Sequence, residues 1–451
     1  AVIAEKCPHI TVTVVDINTE RIESWNSDNF ENLPVFEPGL KEIIKKNRGK
    51  NLFFSNNVQK EIESSNLIFL CVNTPTKKRG IGAGKASDLK WLEICAHEIS
   101  TYAKKNTIIV EKSTVPVKTA EILEEILSES NSGNNFSVLS NPEFLAEGTA
   151  INDLLNPDRV LIGGKDKSSI EILSKIYMNW VSPEKIIKTN IWSSELSKLS
   201  ANAFLAQRIS SINSISAICE QTGADINEVS KSIGADTRIG SRFLKSGPGF
   251  GGSCFKKDIL NLIYLCDFFN LPHISNYWKS VLTINDWQQR RISKTVVEKL
   301  FGTVSDKKIA ILGFAFKANT NDTRESPSIS ICHDLLEEGA KLFIHDPKVK
   351  SDQISFVLNE LIMNRASKMD GTWEYSLSID NAINDAHAII ILTEWEEYSK
   401  IKWLDKEDLL KKNVWIFDTR SIIDIEEIKK TKIKLWRLGS KSINLNSSAI
   451  D

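Results

Sequence analysis

Apolar positions along the first third of the chain fall into short unbroken runs separated by stretches with three-to-four-residue spacing. Ile10–Asp16 (ITVTVVD) and Leu67–Val72 (LIFLCV) read as buried strands, and Thr107–Val110 and Ser137–Leu139 add two more. Leu89–Lys104 and Val117–Glu129 carry helical spacing between them. Strands alternating with helices predict a parallel sheet with helices on its faces. The glycines around Gly80–Gly84 (GIGAG), with no apolar periodicity, predict a mobile loop.

The middle changes character. Ser193–Thr222 contains no Pro or Gly; Ser193 or Ser194 can cap it and Gly223 can stop it. Asn276–Leu300, beginning after Pro272, is a second long run. We expect a mainly helical segment over 193–301, its Trp, Ile and Leu stripes serving domain or subunit packing. Alternation then returns. Lys308–Gly313, Lys341–His345, His387–Leu392 and Val414–Phe417 read as strands, and Ser328–Glu338 as a helix closed by Gly339. Ser367–Ser378 and the tail after Ser440 read as irregular and mobile.

Composition narrows the function classes. Lys and Arg number 57 against 58 Asp and Glu in 451 residues, a net charge of -1. That leaves no basic excess for nucleic acid or an anionic bilayer. No run approaches the ~20 apolar residues that cross a membrane. Seven cysteines without a CxxC pair suit a reducing cytoplasm, with neither a disulfide scaffold nor a structural zinc site. No metal site is expected. The chain opens at Ala1 in what reads as the middle of an element.

Candidate chemistry collects after the strands, where open α/β sheets bind ligands. Asp16 ends the first strand, the place of an acid that takes ribose hydroxyls, and Arg21 follows it. The glycine fingerprint that belongs ~20 residues before such an acid falls upstream of Ala1. Val72-Asn73-Thr74-Pro75-Thr76 and Ser113-Thr114-Val115 could hold phosphate and nicotinamide groups. Each of these, taken alone, is also ordinary turn chemistry. Glu143 and Glu147 lie four apart and share a face if their segment is helical, one for a proton or water and one for a cofactor hydroxyl. Lys198 and Asn202 are also four apart, suited to stabilising a developing alkoxide; a solvated Lys198 paired with Glu195 is the plainer alternative.

The most specific stretch is Gly247–Asp258 (GPGFGGSCFKKD). Its glycines let backbone approach a ligand. Cys254 then opens a helical run, where the helix N-terminus and Lys256 and Lys257 favour a thiolate nucleophile. Asp258 lies one turn on. Phe316 and Lys317 after a strand suit a second nucleotide by stacking and charge, with Arg324 and Arg420 nearby, and Arg238 and Lys245 add positive charge for a diphosphate. Singly, each basic residue also reads as a surface charge.

Together these segments resemble the UDP-glucose 6-dehydrogenase family in its eukaryotic form. The resemblance runs from Ala1 to about Gly439 through VTVVDIN, CVNTPTK, EKSTVPVKTAE, SNPEFLAEGTAI, NPDRVLIGG, SSELSKLSANAFLAQRISSINSIS, GFGGSCFKKD and ILGFAFKANTNDTRES. It implies an α/β protein of two Rossmann-like doubly wound domains, an NAD domain over 1–192 and a UDP domain over 302–451. A helical dimerisation segment over 193–301 would join them. It implies oxidation of UDP-glucose to UDP-glucuronate with NAD, by a cytoplasmic homo-oligomer (a dimer or trimer of dimers).

Carried over by motif, Cys254 is the nucleophile, passing through a thiohemiacetal and a thioester. Lys198, Asn202, Asp258, Glu143 and Thr114 stabilise oxyanions and place water or protons. Asp16, Arg21, Val72–Thr76, Ser113–Val115, Glu147, Cys254, Lys257 and Arg324 match cofactor contacts. Substrate contacts match Glu143, Phe144, Leu145, Ala146, Glu147, Lys198, Asn202, Lys245, Phe250, Gly251, Phe316, Lys317 and Arg420, and Arg238 from a neighbouring subunit. The family's first strand and Gly-rich turn would precede Ala1, leaving the sheet one strand short. The rival readings are a dehydrogenase of GDP-mannose or a UDP-amino sugar, and an inactive UDP-sugar-binding subunit.

Overall fold

The β-branched and leucine-rich runs form strands too short to stand alone, so each is stabilised by burial against neighbours. A computed structural model of the chain describes residues 1–129, 135–363 and 370–441. The backbone divides into two compact units. One comprises Ala1–Asn202 with Lys257–Ser275, the other Ala203–Lys256 with Asn276–Asp451.

In the first unit, β1 (Val12–Val15) pairs in parallel with β2 (Leu52–Ser55). A separate sheet runs β3 (Leu67–Leu70), β4 (Ile108–Glu111), β5 (Ser137–Ser140), β6 (Val160–Gly164) and β7 (Ile186–Thr189), in that order. Its pairs are parallel except β5 with β6. Among the described residues β1 pairs only with β2 and β3 only with β4, so each keeps one edge without a strand neighbour.

Four helices carry or support the candidate site residues: α1 (Thr119–Ser128), α2 (Ile191–Thr222), α3 (Phe255–Phe268) and α4 (Pro272–Lys299). The cap of α2 is not Ser193 or Ser194. Asn190 Oδ1 accepts the Ser193 amide at 2.8 Å, and the Ser194 hydroxyl is buried against Ser140 at 2.9 Å. Gly223, at φ +81°, does stop the helix.

The loop around Gly80–Gly84 is internally hydrogen-bonded rather than free. Lys77 donates to the Ala86 carbonyl at 2.7 Å, and Gly84 to that of Lys77 at 2.8 Å. Lys85 pairs with Asp267 of α3 at 2.9 Å. A Cβ at Gly82 would stand 2.9 Å from the Tyr264 ring, so glycine is what lets this loop lie against α3.

The second unit is built on a parallel sheet of β8 (Lys308–Leu312), β9 (Lys341–His345), β10 (Thr372–Tyr375), β11 (Ala388–Ile391), β12 (Trp415–Asp418) and β13 (Lys434–Arg437). The order is β10-β9-β8-β11-β12-β13, which reverses direction between β8 and β11. Ile309, Ile311, Ile389, Ile391 and Phe417 are fully buried, as strands covered on both faces require. Strand β10 corrects the expectation that Ser367–Ser378 is irregular. It is an edge strand with exposed Thr372 and Glu374, so it carries no continuous apolar run. Residues 367–369 of that stretch, and the tail after residue 441, lie outside the described residues. No helix among the described residues is long and apolar enough to cross a membrane.

Candidate active site

In the first unit the turns after β1, β3, β4 and β5 bring the expected groups forward. Asp16 follows β1 directly; its Oδ1 accepts the Asn18 amide at 2.9 Å and its Oδ2 meets Arg21 at 3.4 Å. A carboxylate held beside a guanidinium fits a ribose diol. After β3, Thr74 is buried and donates to the Thr114 carbonyl at 2.7 Å, while the Ser113 hydroxyl donates to the Val72 carbonyl at 2.7 Å. Asn73, Pro75 and Thr76 continue that turn, and Thr76 bridges to Ser87. Val115 is buried beneath it. The two turns thus form one layer of hydroxyls and carbonyls at the carboxyl ends of β3 and β4, a surface that fits the polar parts of a dinucleotide.

Residues 141–148 are not helical, so Glu143 and Glu147 do not share a helix face. Pro142 follows β5 and the next helix begins only at Ala150, because Glu37 caps it through the Gly148 and Ala150 amides at 2.9 and 2.6 Å. Glu143 reaches Lys198 at 3.7 Å. Phe144 lies under the Lys198 ammonium at 5.4 Å and the Arg159 guanidinium at 3.8 Å. Leu145 and Ala146 complete the turn, the Ala146 amide bonding Asp153 at 2.9 Å.

Lys198 is 4% exposed, which removes the solvated reading; its carboxylate neighbour is Glu143, not Glu195. One turn further along α2, Asn202 donates to Asp258 Oδ2 at 2.6 Å. Asp258 is 1% exposed in the first turn of α3, and its Oδ1 has no hydrogen bond among the described residues. Burial pushes the Asp258 carboxyl up; Lys257, Asn202 and Lys198 pull it down, and Glu143 opposes them. Lys257 stands 3.6 Å from Asp258 and donates to Thr74 Oγ1 at 3.1 Å. A buried ammonium, an amide and two carboxyls are thereby held within one group. Such a set can stabilise an alkoxide and relay a proton.

The second unit carries the Gly-rich loop and Cys254. Buried amides pin the loop: Asn213 accepts from the Gly247 amide at 2.9 Å, Gln288 donates to the Gly247 carbonyl at 2.8 Å, and Asn285 accepts from the Phe250 amide at 2.8 Å. Asn285 and Gln288 lie one turn apart on α4, a buried polar pair whose spacing was readable but whose partner was not. Gly252 donates to the Arg324 carbonyl at 2.8 Å. A Cβ on Gly251 would lie 2.5 Å from the Glu325 carbonyl and 2.9 Å from Phe316 Cβ. Phe250 is buried edge-on against Phe255. The Cys254 thiol is exposed, immediately ahead of α3, with Ser253 Oγ at 3.5 Å.

At the carboxyl end of the second sheet, Arg420 donates to the Leu392 carbonyl at 2.7 Å and the Phe316 carbonyl at 3.2 Å, and pairs with Glu394 at 3.1 Å. Lys317 lies over the Phe316 ring at 5.5 Å. Aromatic face, ammonium and guanidinium are therefore gathered as a nucleotide base and phosphate need them. Arg324 chelates Asp322 and Arg238 chelates Asp236, both with exposed side chains; Lys245 is exposed.

One further arrangement sets the sheet of the second unit apart chemically. In a doubly wound sheet the turn after the first strand offers backbone amides to a phosphate. After β8 that turn is filled from within. Asp346 Oδ2 accepts the Phe314 amide at 2.7 Å, the Ala315 amide at 3.0 Å and the Trp395 indole at 3.2 Å. Its Oδ1 accepts the Lys348 and Val349 amides, both at 2.9 Å.

Comparison with known proteins agrees with this division. Residues 1–181 match the NAD binding domain of the UDP-glucose/GDP-mannose dehydrogenase family, 192–287 its central domain and 310–425 its UDP binding domain. The chain is 50% identical to UDP-glucose 6-dehydrogenase 4 of Oryza sativa subsp. japonica, across 97% of this chain and 94% of that protein. Identity to the UDP-glucose 6-dehydrogenase of Drosophila melanogaster is 51%, across 98% of this chain and 93% of that one. A solved UDP-glucose dehydrogenase from the archaeon Pyrobaculum islandicum matches with a TM-score of 0.82 at 27% identity, across 97% and 94% of the two chains. With the NAD binding, central and UDP binding domains all matched, this chain belongs to the UDP-glucose/GDP-mannose dehydrogenase family.

Proposed function

We propose that the chain oxidises UDP-glucose to UDP-glucuronate. The observation that carries this reading is the group of buried Lys198, Asn202 and Asp258 with half-buried Glu143, whose Asp258 lies four residues after the exposed Cys254 thiol. NAD+ supplies the hydride acceptor in each of the two oxidations at C6. Asp16 with Arg21 holds the adenosine ribose, and the Thr74 and Thr114 turns hold the rest of the cofactor. Lys198 and Asn202 stabilise negative charge on the C6 oxygen, and Asp258 or Glu143 receives the alcohol proton. The Cys254 sulfur adds to the resulting aldehyde carbon and the carbonyl oxygen takes a proton, giving a thiohemiacetal. Oxidation of that adduct gives a thioester. Water ordered by Glu143 or Asp258 then cleaves the carbon–sulfur bond, returning the thiol and releasing the carboxylate. On the substrate side, Phe316 and Lys317 take the uridine and Arg420 the diphosphate.

We also propose a homo-oligomer. Phe204 and Ile218 of α2 are 61% and 56% exposed, and Tyr277 and Trp287 of α4 52% and 40%, an apolar load a lone chain does not need. Light scattering tests it; a monomer at all working concentrations removes it. The seven cysteines, all free, fit a cytoplasmic setting.

The deciding experiment is NADH formation against a panel of UDP-glucose, GDP-mannose and UDP-N-acetylmannosamine. UDP-glucose should give the highest kcat/KM and a carboxylated product with two NADH per sugar. Far faster turnover of another nucleotide sugar overturns the substrate assignment.

A further inference from the structure

Two acids outside the reaction scheme lie at the centre of the first unit. Glu111 is the last residue of β4 and Glu195 lies on α2, and each is 1% exposed. Glu195 accepts the Lys118 amide at 2.8 Å and the Ala120 amide at 2.9 Å, so its carboxylate seals the N-terminus of α1. Lys118 has φ +80°, a left-handed conformation that turns both amides toward that one side chain. Neither Glu111 oxygen meets an N–H donor among the described residues; its carboxyl faces that of Glu195.

We infer that Glu111 and Glu195 are a proton-sharing acid pair, and that Glu195 is a positioning residue tying the cofactor turn to the helix that carries Lys198 and Asn202. This rests on the function proposed above. The connection is continuous. Glu195 precedes Lys198 by one turn of α2, and the helix start it caps follows the Ser113–Val115 turn. That turn accepts the Thr74 hydroxyl, which in turn accepts from Lys257 beside Asp258.

Two buried carboxyls in contact resist ionising together, so one proton is held to higher pH than either acid alone would hold it. Burial raises both, with the neighbouring acid adding to it for Glu111 and two amide donors opposing it for Glu195. The anion therefore sits on Glu195, where the amides point, and the proton on Glu111, which donates it across. The other charged group acting on the pair is Glu121 of α1, which adds repulsion and itself lies 3.8 Å from the exposed Lys118 ammonium. Raising pH removes the shared proton. Two like charges then share one apolar space, and Glu195 loses its hold on α1.

The test uses the full-length protein, its Glu111→Gln and Glu195→Gln variants, and NAD+ binding read by tryptophan fluorescence from about pH 6 to about pH 10. An amide at 111 still donates to Glu195 but cannot titrate. Glu111→Gln should move the alkaline loss of NAD+ affinity upward by about one pH unit or more. Glu195→Gln should raise the NAD+ Kd several-fold and flatten its pH dependence. In infrared spectra the parent should show a protonated-carboxyl stretch at neutral pH that is absent from Glu111→Gln and vanishes in alkali. No such band in the parent, or a Glu111→Gln profile superimposable on the parent's, overturns the inference. If a variant does not fold, the parent's band and its titration decide alone. A parent that shows both but oxidises no nucleotide sugar keeps the acid pair and removes the proposed reaction instead.

Discussion

Asn202 donates its amide to Asp258 Oδ2 at 2.6 Å, joining the middle of α2 to the first turn of α3. The bond fixes which carboxylate oxygen is committed and which is not, since Oδ1 has no hydrogen bond among the described residues and lies 3.6 Å from the Lys257 ammonium. Asp258→Asn should lower kcat by roughly 10²–10⁴-fold, the range of a positioned acid or base, with a smaller change in the UDP-glucose KM. Asn202→Ala should act in the same direction and less strongly. Initial-rate NADH assays check both; an unaltered kcat in Asp258→Asn takes the residue out of the chemistry.

Protonation gives a second handle on the same pair. The folded Asp258 carboxyl is raised above its unfolded value, so it favours the protonated form. Its contribution to stability is thus greatest below the ordinary Asp range and falls as pH rises toward the folded value. Lys257 is the strongest of the groups pulling it down. Lys257→Met should move the acid limb of the kcat–pH profile further upward. A limb that stays put, or shifts to lower pH, would show that another group sets it.

Cys254→Ser should bind UDP-glucose but fail to turn over steadily, because a hydroxyl is a poorer nucleophile near neutral pH. Mass spectrometry of quenched protein should find a sugar-nucleotide adduct on the parent and none on the variant. Sustained UDP-glucuronate production by the variant would assign the intermediate elsewhere.

Gly251→Ala should disturb the uridine side selectively. Its new methyl would meet the backbone carbonyl of Glu325 at 2.5 Å, which cannot swing aside as a side chain can. Overpacking of this kind costs about 1–3 kcal/mol and would push on Phe316. The UDP-glucose KM should rise while NAD+ affinity holds; calorimetric titration with each ligand separates the two, and equal losses would point to general unfolding.

Burial decides which elements are legible in the amino-acid pattern. Strands covered on both faces, such as β4, β8, β11 and β12, announce themselves as predominantly apolar runs. β10 does not, since an edge strand with polar Thr372 and Glu374 looks like loop. The start of α2 offered three capping side chains within five residues. Asn190 prevails because Ser194 is engaged with Ser140, a contact no local rule contains. The chemical residues were legible because their types are rare in such company: a cysteine after four glycines, or a lysine and an asparagine one turn apart. Their supports were not. No local pattern marks Asn213, Asn285 and Gln288 as supports; only the Gly247–Phe250 backbone placed against them does. Glu195 read as the surface partner of Lys198, because nothing in its neighbours announces that it is buried against helix amides.

Asp346→Asn should test the internally filled turn. Five N–H groups converge on the two carboxylate oxygens, and an amide offers one acceptor oxygen and two hydrogens of its own. At least one buried donor loses its acceptor, at about 1–3 kcal/mol. Thermal unfolding should shift down by several degrees; an unchanged Tm would mean that the turn holds without the charge.

That filled turn also sets a rhythm for the whole enzyme. With Asp346 taking the Phe314 and Ala315 amides, the turn after β8 offers neither to a pyrophosphate, so the nicotinamide carrier belongs to the first unit alone in the proposed scheme. Two successive oxidations at one carbon then demand an exchange midway, spent carrier out and fresh carrier in, while a half-oxidised sugar stays tethered and cannot drift off.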